Sequence, residues 1–266
     1  MDNLVTGFQI AESGVYALLF GDRQVDLSKM VGQHITIKHH GELACCVCQR
    51  RVKKLYQNGY CFPCTRSLAR CDLCVLKPEL CHFHLGTCRE PQWGMDHCMQ
   101  PHVVYISWTS AFKVGLTRRH RLHQRWREQG ATGGVALFHT ATRYQAGLIE
   151  TALAKHMSDK TNWRQMLNMR ENGLEQWLAH EAKFRDLCQK VLEPMKDKEQ
   201  IQVLDESWQC IDYRFNDPVK VHSLSLEPNT SFTRELLGFR GHYMIFQDGV
   251  LGMRKLVGHV LEIQPA

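Results

Sequence analysis

The chain has 266 residues, enough to bury a hydrophobic core and to form two or three domains. Its 33 lysines and arginines exceed its 27 aspartates and glutamates, which gives a mildly basic formal net charge of +6. It has no apolar run of about 18 residues that would cross a membrane, and residues 1–6 lack the basic and apolar regions of a secretion signal. These features argue against membrane and secreted proteins. We expect a cytoplasmic protein with reduced cysteines and no membrane partner.

Residues 1–44 are predicted to form a β-rich N-terminal region. Apolar and polar residues alternate in short runs, with Val15, Ala17 and Leu19 in one run and Ile35 and Ile37 in another. Such alternation places the apolar side chains on one face of a strand, and the glycines between the runs mark turns.

Ten of the twelve cysteines lie between Cys45 and Cys98, within a predicted zinc-binding module over residues 45–101. Two pairs, Cys45 with Cys48 and Cys61 with Cys64, have the two-residue gap that brings both thiolates onto one ion, and together they supply a tetrahedral structural zinc site. The spacer between the pairs is typical of a zinc ribbon or a treble-clef-like hairpin. A disulfide framework fits poorly, because such frameworks belong to short secreted chains.

A second zinc ion is predicted in the same module, because more thiol and imidazole groups remain than one further ion requires. Cys71 and Cys74 repeat the two-residue gap and are the favoured ligands. Two of three later cysteines would complete the set: Cys81, Cys88 and Cys98. The histidines that stay open as substitutes are His82, His84 and His97. We therefore expect about two zinc ions per chain. Cys46 is expected to be a small core residue or an alternate ligand, and Cys188 and Cys210 are expected to be ordinary buried thiols.

The segment 102–170 has the pattern of a small α/β domain. A strand is predicted at residues 103–107 and its hairpin partner at residues 112–116. Thr117 is the predicted cap of a helix that continues through Trp126 and stops at Gly130. A third strand, at residues 135–139, and a second helix, at about residues 144–157, follow.

Basic residues are concentrated in the first part of this segment. Residues 103–127 include no aspartate or glutamate and six lysines or arginines. Such density suits a polyanion, and the predicted partner is DNA or RNA. The predicted nucleic-acid-binding side chains are Arg118, Arg119, Arg121 and Arg127. The alternative is an ordinary solvated helix face.

The rest of the chain is predicted to form an amphipathic helix and a second β-rich region. Apolar residues recur at helical spacing from Leu174 to Leu192, within the helical segment 171–198. Residues 199–266 return to short apolar runs separated by glycine turns. The β-rich regions at the two ends of the chain could pair into one barrel-like domain.

The order of hairpin, arginine-bearing helix and carboxylate-bearing helix, over residues 103–167, resembles the GIY-YIG nuclease superfamily. Residues 103–105 (Val-Val-Tyr) resemble its first motif and residues 113–115 (Lys-Val-Gly) its second. The catalytic residues implied by this resemblance are Tyr105, Lys113, Arg125, Glu150 and Asn162. In that role Glu150 would hold Mg²⁺ or Mn²⁺, Tyr105 would orient or deprotonate the attacking water, and Arg125 would bind the phosphate.

The chain departs from the GIY-YIG pattern at its second motif. Lys113 stands where the superfamily has tyrosine, which suits phosphate binding or a site that binds without cutting. Arg121 remains a rival of Arg125 because of the spacing between motif and arginine. Glu150 borders the apolar stripe of its helix, where an unpaired charge is costly, so an ion pair with Arg125 or Arg143 is the alternative to a metal.

The whole chain is also similar to an uncharacterised bacterial family, domain of unknown function 2797, which implies no activity. The matching stretches are residues 59–64, 78–82, 86–91, 113–118 and 159–163.

The sequence thus predicts an α+β fold, in which a zinc-knuckle module joins a small GIY-YIG-like α/β domain and β-rich N- and C-terminal regions. The predicted function is that of a zinc-containing nucleic-acid-binding protein, with divalent-metal-dependent endonuclease activity implied by the resemblance. Two alternatives stay open: a non-catalytic DNA- or RNA-binding module, and a protein-interaction scaffold. Convergence of the catalytic candidates on one open pocket would favour chemistry, whereas a buried pair of Glu150 and Arg125 would favour the alternatives.

Overall fold

The computed structural model describes residues 2–157, 162–195, 198–213 and 221–266. Within these ranges the chain is a mixture of helices and several antiparallel sheets, which confirms the predicted α+β class. Of the stretch 159–163 that carries part of the family resemblance, residues 159–161 lie outside the described residues. None of the helices in these ranges combines the length and the apolar character that crossing a membrane requires.

The strands and helices are numbered in chain order. The strands are β1 (Gly7–Ile10), β2 (Tyr16–Phe20), β3 (Arg23–Asp26), β4 (His34–Leu43), β5 (His102–Trp108), β6 (Phe112–Arg118), β7 (Gly133–Thr140), β8 (Ile201–Val203), β9 (Gln209–Cys210), β10 (Ser231–Arg240), β11 (Tyr243–Phe246), β12 (Gly249–Gly252) and β13 (His259–Pro265). The α-helices are α1 (Phe62–Ser67), α2 (Leu73–Leu76), α3 (Pro91–His97), α4 (Leu122–Gln129), α5 (Arg143–Ala154), α6 (Trp163–Asn168) and α7 (Leu174–Leu192).

The chain divides into two compact units. One comprises Met1–Ser67 with Tyr213–Ala266, and the other is Leu68–Asp212. The boundary falls inside the cysteine-rich segment 45–101, so its first five cysteines and its last five belong to different units.

The terminal unit joins both ends of the chain in one sheet. Its five-stranded sheet has the order β12-β11-β10-β4-β13, and β1, β2 and β3 form a separate three-stranded sheet. Strand β4 lies between two C-terminal strands, with Lys38 opposite Ser231 on one side and Ile37 opposite Ile263 on the other. Ile35 and Ile37, which alternate with polar neighbours, are fully buried in the core of this unit. The predicted pairing of the terminal β regions is confirmed.

The central unit is built on a sheet with the order β6-β5-β7-β8, to which β9 adds alongside β7. Strand β5 lies between β6 and β7 and is buried along nearly its whole length, which explains why it reads as a continuous apolar run. Helices α5 and α7 pack on this sheet, and Ile106, Leu137, Ile149 and Trp177 meet in its core.

The helix that follows the hairpin begins later than predicted. Thr117 lies in strand β6, where it pairs with Val103, so the prediction that it caps the helix is wrong. The extended backbone continues through Thr117 because Thr117 still pairs with the neighbouring strand of the sheet. A short 3-10 turn over Arg119–Arg121 then leads into α4. Gly130 ends α4 as predicted, in the left-handed conformation that glycine adopts without strain.

Helix α5 begins with a capping box. The Thr142 side chain accepts a hydrogen bond from the backbone N–H of Gln145, and the Gln145 side chain accepts one from the backbone N–H of Thr142. The helix ends at Ala154, three residues before the predicted end. Helix α7 has the predicted bounds, Leu174–Leu192.

Candidate functional site

The first two cysteine pairs form one cluster in the terminal unit. Cys45 and Cys48 lie on a tight turn that follows β4, where Gln49 takes a left-handed conformation and the N–H of Cys45 donates to the carbonyl of Arg50. Cys61 immediately precedes helix α1, and Cys64 lies in its first turn. A turn thus supplies one cysteine pair and a helix start supplies the other.

The geometry of this cluster suits a tetrahedral ion. The four sulfur atoms all lie within 4.8 Å of one another, and the sulfurs of Cys48 and Cys61 are 3.7 Å apart. A tetrahedron with Zn–S bonds of about 2.3 Å has edges of about 3.8 Å, whereas a disulfide would need about 2.05 Å. All four cysteines are free thiols. The cluster can therefore hold a metal ion, and its ligand chemistry is that of structural zinc.

The surroundings of this cluster stabilise one ionised cysteine but oppose the ionisation of several cysteines at once. Burial opposes ionisation of Cys45, but hydrogen bonds from backbone N–H groups of Cys61, Cys48 and Val47 outweigh it and lower the pKa of Cys45 to about 6. Burial and neighbouring thiols raise the pKa of Cys64, and burial raises that of Cys61. Four thiolates side by side repel one another, so the cluster needs a divalent cation to ionise fully.

A second group of cysteines lies in the central unit, around a cavity of about 20 Å³. Its four cysteines are Cys74, Cys81, Cys88 and Cys98, and Asp72 and His82 line it as well. Single ligand atoms of Asp72, Cys74 and His82 lie within 4.8 Å of one another. Burial, followed by the charges of Asp72, Cys81 and Cys98, raises the pKa of Cys74 to about 12.

The other predicted ligands and thiols lie elsewhere. Cys71 is buried but is not part of this cavity lining. His84 is exposed beside Tyr144, and the ring of His97 stacks on Trp93. Cys46 packs against the core of the terminal unit and Cys188 is buried, as expected. Cys210 is exposed, so the prediction that it is buried is wrong: β9 is a two-residue strand that leaves its side chain uncovered.

The hairpin of the central unit holds Tyr105 against a glycine. Tyr105 lies directly opposite Gly115 across the β5–β6 pair. A Cβ atom at Gly115 would come within 2.5 Å of the tyrosine hydroxyl, so only glycine leaves room for the ring. The need for glycine at position 115 thus comes from the side chain of Tyr105.

The hydroxyl of Tyr105 is buried and hydrogen-bonded. Tyr105 is 0% exposed, and its hydroxyl donates to Oε1 of Gln129 over 2.9 Å. Burial raises its pKa to about 12, against the opposing effect of Arg125, which lies within hydrogen-bonding reach of the same oxygen. The phenol is therefore protonated at neutral pH, which argues against its predicted role of deprotonating a water.

Glu150 is the centre of a cluster of cations. It is half-buried on α5, and burial raises its pKa although the positive charges of Arg143, Arg125 and Lys113 act to lower it. Glu79 lies close enough to raise the pKa of Glu150 further. Arg125 forms its ion pair with Glu128, with 3.2 Å between Nη1 and Oε2. A shifted carboxylate among cations is a feature of functional sites.

Tyr105, Lys113, Arg125 and Glu150 are thus brought into one electrostatic neighbourhood. Asn162 has a local role: it is exposed, and its Oδ1 accepts hydrogen bonds from the N–H groups of Arg164 and Gln165 at the start of α6.

Arg143 is a member of this cluster that the sequence interpretation considered only as an ion-pair partner. Its side-chain Nη2 donates to the carbonyl of Val75 over 2.7 Å, and its backbone N–H donates to the carbonyl of Cys98 over 2.8 Å. Its charge interacts with both Glu150 and Cys98. The sequence signal that places Arg143 near Glu150 is their spacing. Arg143 precedes Glu150 by seven residues, and residues two turns apart share a helix face.

Three arginines of the basic segment have partners within the fold. Arg119 pairs with Glu206 over 2.6 Å, and Arg121 pairs with Glu128 over 2.7 Å. Arg127 donates to the carbonyl of Asp212. Arg118 interacts instead with other cations, Arg121 and Arg143, and with Cys98. The four predicted nucleic-acid-binding arginines therefore differ in how far their charge is already neutralised.

Comparison with known proteins gives the chain a family but no activity. The model of the family described as "Protein of unknown function (DUF2797)" matches residues 32–261, well over half of the chain. The chain belongs to this family. No curated protein and no solved structure matches it. The function must therefore be inferred from the site.

Proposed function

We propose that this protein binds DNA or RNA and cleaves a phosphodiester bond with the help of a divalent cation at Glu150, in the manner of GIY-YIG nucleases. Structural zinc, about two ions per chain, stabilises its cysteine-rich segment. The observation that carries the proposal is the position of Glu150, a half-buried carboxylate near Tyr105 and the cations Arg143, Arg125 and Lys113. A phosphate and a metal ion both fit such a mixture of charges.

The order of the elements supports the same assignment. The hairpin β5–β6 is followed by α4 with Arg125, then by β7, and then by α5 with Glu150. Tyr105 and Gly115, from the two motifs that resemble the superfamily, are cross-strand partners.

The residues around Glu150 fit a hard divalent cation. Mg²⁺ is bound in many proteins by one or two carboxylates, with waters and substrate phosphate completing its shell. Glu150 supplies one carboxylate, and Glu79 is a second carboxylate within electrostatic reach. Bound there, the cation would stabilise the charge that develops on the phosphate during hydrolysis.

The protein's own residues would bind and orient the substrate. Lys113, Arg125 and Arg143 offer positive charge to the phosphate, and the lysine takes the place of the superfamily's second tyrosine. Tyr105 is buried and protonated, so it acts as a positioning residue that holds Arg125 and Gln129. Its effect on the substrate passes through these side chains.

The test is a comparison of cleavage, binding and melting on one variant, Glu150→Gln. We expect Mg²⁺ or Mn²⁺ to support cleavage by the parent protein. Glu150→Gln should abolish this cleavage while leaving affinity and melting temperature nearly unchanged, because a metal ligand acts mainly on the transition state. Glu175→Gln, an exposed carboxylate of α7, is the matched control and should cleave normally.

A non-catalytic nucleic-acid-binding module is the second candidate, because Tyr105 is fully buried and Arg125 is already paired with Glu128. In that case Glu150 serves stability by compensating the cations around it. Glu150→Gln would then lower stability, because Arg143, Arg125 and Lys113 lose the carboxylate that compensates their charge. Such a loss, with no divalent-dependent cleavage by the parent on varied DNA and RNA substrates, would overturn the nuclease proposal.

A further inference from the structure

The cavity in the cysteine-rich part of the central unit has the size of a single ion. Its volume is about 20 Å³. A cavity needs roughly 10–15 Å³ of such space to accept one water molecule, so this one accepts a particle of that size and excludes an organic ligand. Apolar cavities of this kind stay empty, but the lining here includes four thiols.

The four thiols come from separate turns that the backbone holds together. Cys74 lies in α2, Cys81 follows the 3-10 turn Pro78–Leu80, and Cys98 directly follows α3. Cys88 approaches α3 so closely that a Cβ atom at Gly94 would lie 3.2 Å from its sulfur. All four are free thiols that line the same cavity, so no disulfide occupies it.

The polar neighbours are engaged with other partners. Asp72 accepts from the N–H of Cys74 at the start of α2 and pairs with Nε of Arg89 over 2.6 Å. His82 bonds through Nδ1 to the hydroxyl of Thr87 over 2.7 Å, and its Nε2 lies 3.7 Å from Asp72. Asp72 is thus held by Arg89 and by the start of α2, whereas Nδ1 of His82 is held by Thr87 and one ligand atom of His82 stays within 4.8 Å of Asp72 and Cys74. His82 is therefore the rival ligand that the experiment must distinguish from the thiols.

The charge around the cavity also suits four thiolates. Zinc with four thiolates carries a net charge of about −2, which is stable only where cations compensate it. Arg143 and Arg118 both interact with Cys98, and Arg89 flanks the cavity.

We propose that Cys74, Cys81, Cys88 and Cys98 bind a second structural zinc ion in this cavity, and that Cys71 is not a ligand. The two-residue gap between Cys71 and Cys74 is then a coincidence of spacing. Cys71 lies in the 3-10 turn Ala69–Cys71, one residue before the Asp72 cap, whereas Cys74 lies inside α2. This ligand set rests on the second zinc ion of the proposed function and is independent of nucleic-acid binding and cleavage.

The experiment is native mass spectrometry of the full chain, freshly purified under reducing conditions. The parent should carry two zinc ions. Cys88→Ser, at a half-buried position, should carry one ion, and Cys71→Ser should keep both. Cys48→Ser, in the other cluster, should also carry one, and Cys48→Ser with Cys88→Ser should carry none.

Cobalt substitution tests the ligand set without any variant. Co²⁺ in place of both zinc ions should give the visible spectrum of tetrahedral sites, with charge-transfer intensity for eight cobalt–sulfur bonds.

One ion in the parent would overturn the proposal. Loss of an ion from Cys71→Ser with retention in Cys88→Ser would also overturn it, as would His82→Gln losing an ion while the cobalt spectrum indicates three thiolates at one site. If Cys88→Ser does not fold, Cys74→Ser replaces it, since that thiol is also half-buried.

Discussion

At the scale of single residues, Tyr105 has the environment of a positioning group. Its hydroxyl is buried, donates to Gln129 and lies beside Arg125. A buried hydrogen bond of this kind contributes about 1 kcal/mol of net stability, and the partner left behind costs more when it stays unsatisfied. The hydroxyl therefore links the hairpin to helix α4, which carries both Gln129 and Arg125.

Tyr105→Phe should lower stability by roughly 1–2 kcal/mol, because Gln129 loses its donor inside the protein. If Tyr105 also positions Arg125, the variant should weaken binding of a short oligonucleotide and slow cleavage together. Denaturant unfolding and a cleavage time course measure the two effects. The control is Tyr144→Phe, because Tyr144 is a half-buried tyrosine at the start of α5. Unchanged stability in Tyr105→Phe would contradict the hydrogen-bond assignment.

At the scale of elements, strands β4 and β13 are linked by a pair of histidines. Nε2 of His39 and Nδ1 of His259 are 2.7 Å apart, and the N–H of Gly41 donates to Nδ1 of His39. His39 must then carry its proton on Nε2 and donate it to His259, so both rings are neutral. A proton added to either ring would face an N–H group.

This pair should make the protein less stable in mild acid. Burial, then the charge of His40, lowers the pKa of His39 despite the opposing effect of Glu227, and burial, then His39, lowers the pKa of His259 to about 4. Since unfolded histidines titrate near 6.5, the unfolded chain binds more protons between about pH 4 and 6.5, and stability falls as pH falls through that window. We expect a loss on the order of 2 kcal/mol.

Denaturant unfolding at pH 7 and pH 5 measures this loss. His259→Gln should flatten the pH dependence, because it removes the proton acceptor of the pair. His34→Gln, at an exposed position of β4, should leave the dependence as in the parent. Equal pH dependence in the parent and in His259→Gln would show that other groups cause it.

At the scale of the whole molecule, the charge pattern along the chain differs from the charge pattern in space. Arg119 and Arg121 carry acidic partners, Glu206 and Glu128, whereas Arg118 interacts with other cations. A cation that already has a carboxylate partner offers less to a phosphate, and it must break that pair to bind.

Arg118→Ala should therefore reduce the salt dependence of nucleic-acid binding by about one unit of slope, and Arg119→Ala should change it less. Affinity for one oligonucleotide, measured from low to physiological salt, gives both slopes. A slope change in Arg119→Ala as large as that in Arg118→Ala would mean that its pair with Glu206 opens at no cost. Unchanged slopes in both variants would assign the basic segment to a solvated face.

The sequence by itself determined those features that depend on near neighbours. The two-residue gaps of Cys45 with Cys48 and of Cys61 with Cys64 predicted the cluster whose sulfurs come together, because a short turn and a helix start bring such pairs onto one point. The apolar periodicity predicted α7 with its bounds, and two short apolar runs on either side of a turn predicted the strands of the hairpin.

Only the tertiary structure decided the features that join distant residues. The sheet brings His259 to His39 across 220 positions of the sequence. Glu206, which follows helix α7 in the sequence, pairs with Arg119, which precedes it. Packing also buries the Tyr105 hydroxyl and gathers Cys74, Cys81, Cys88 and Cys98 around one cavity without Cys71. Spacing along the chain carries no information about these contacts, because burial and long-range pairing depend on how whole elements pack.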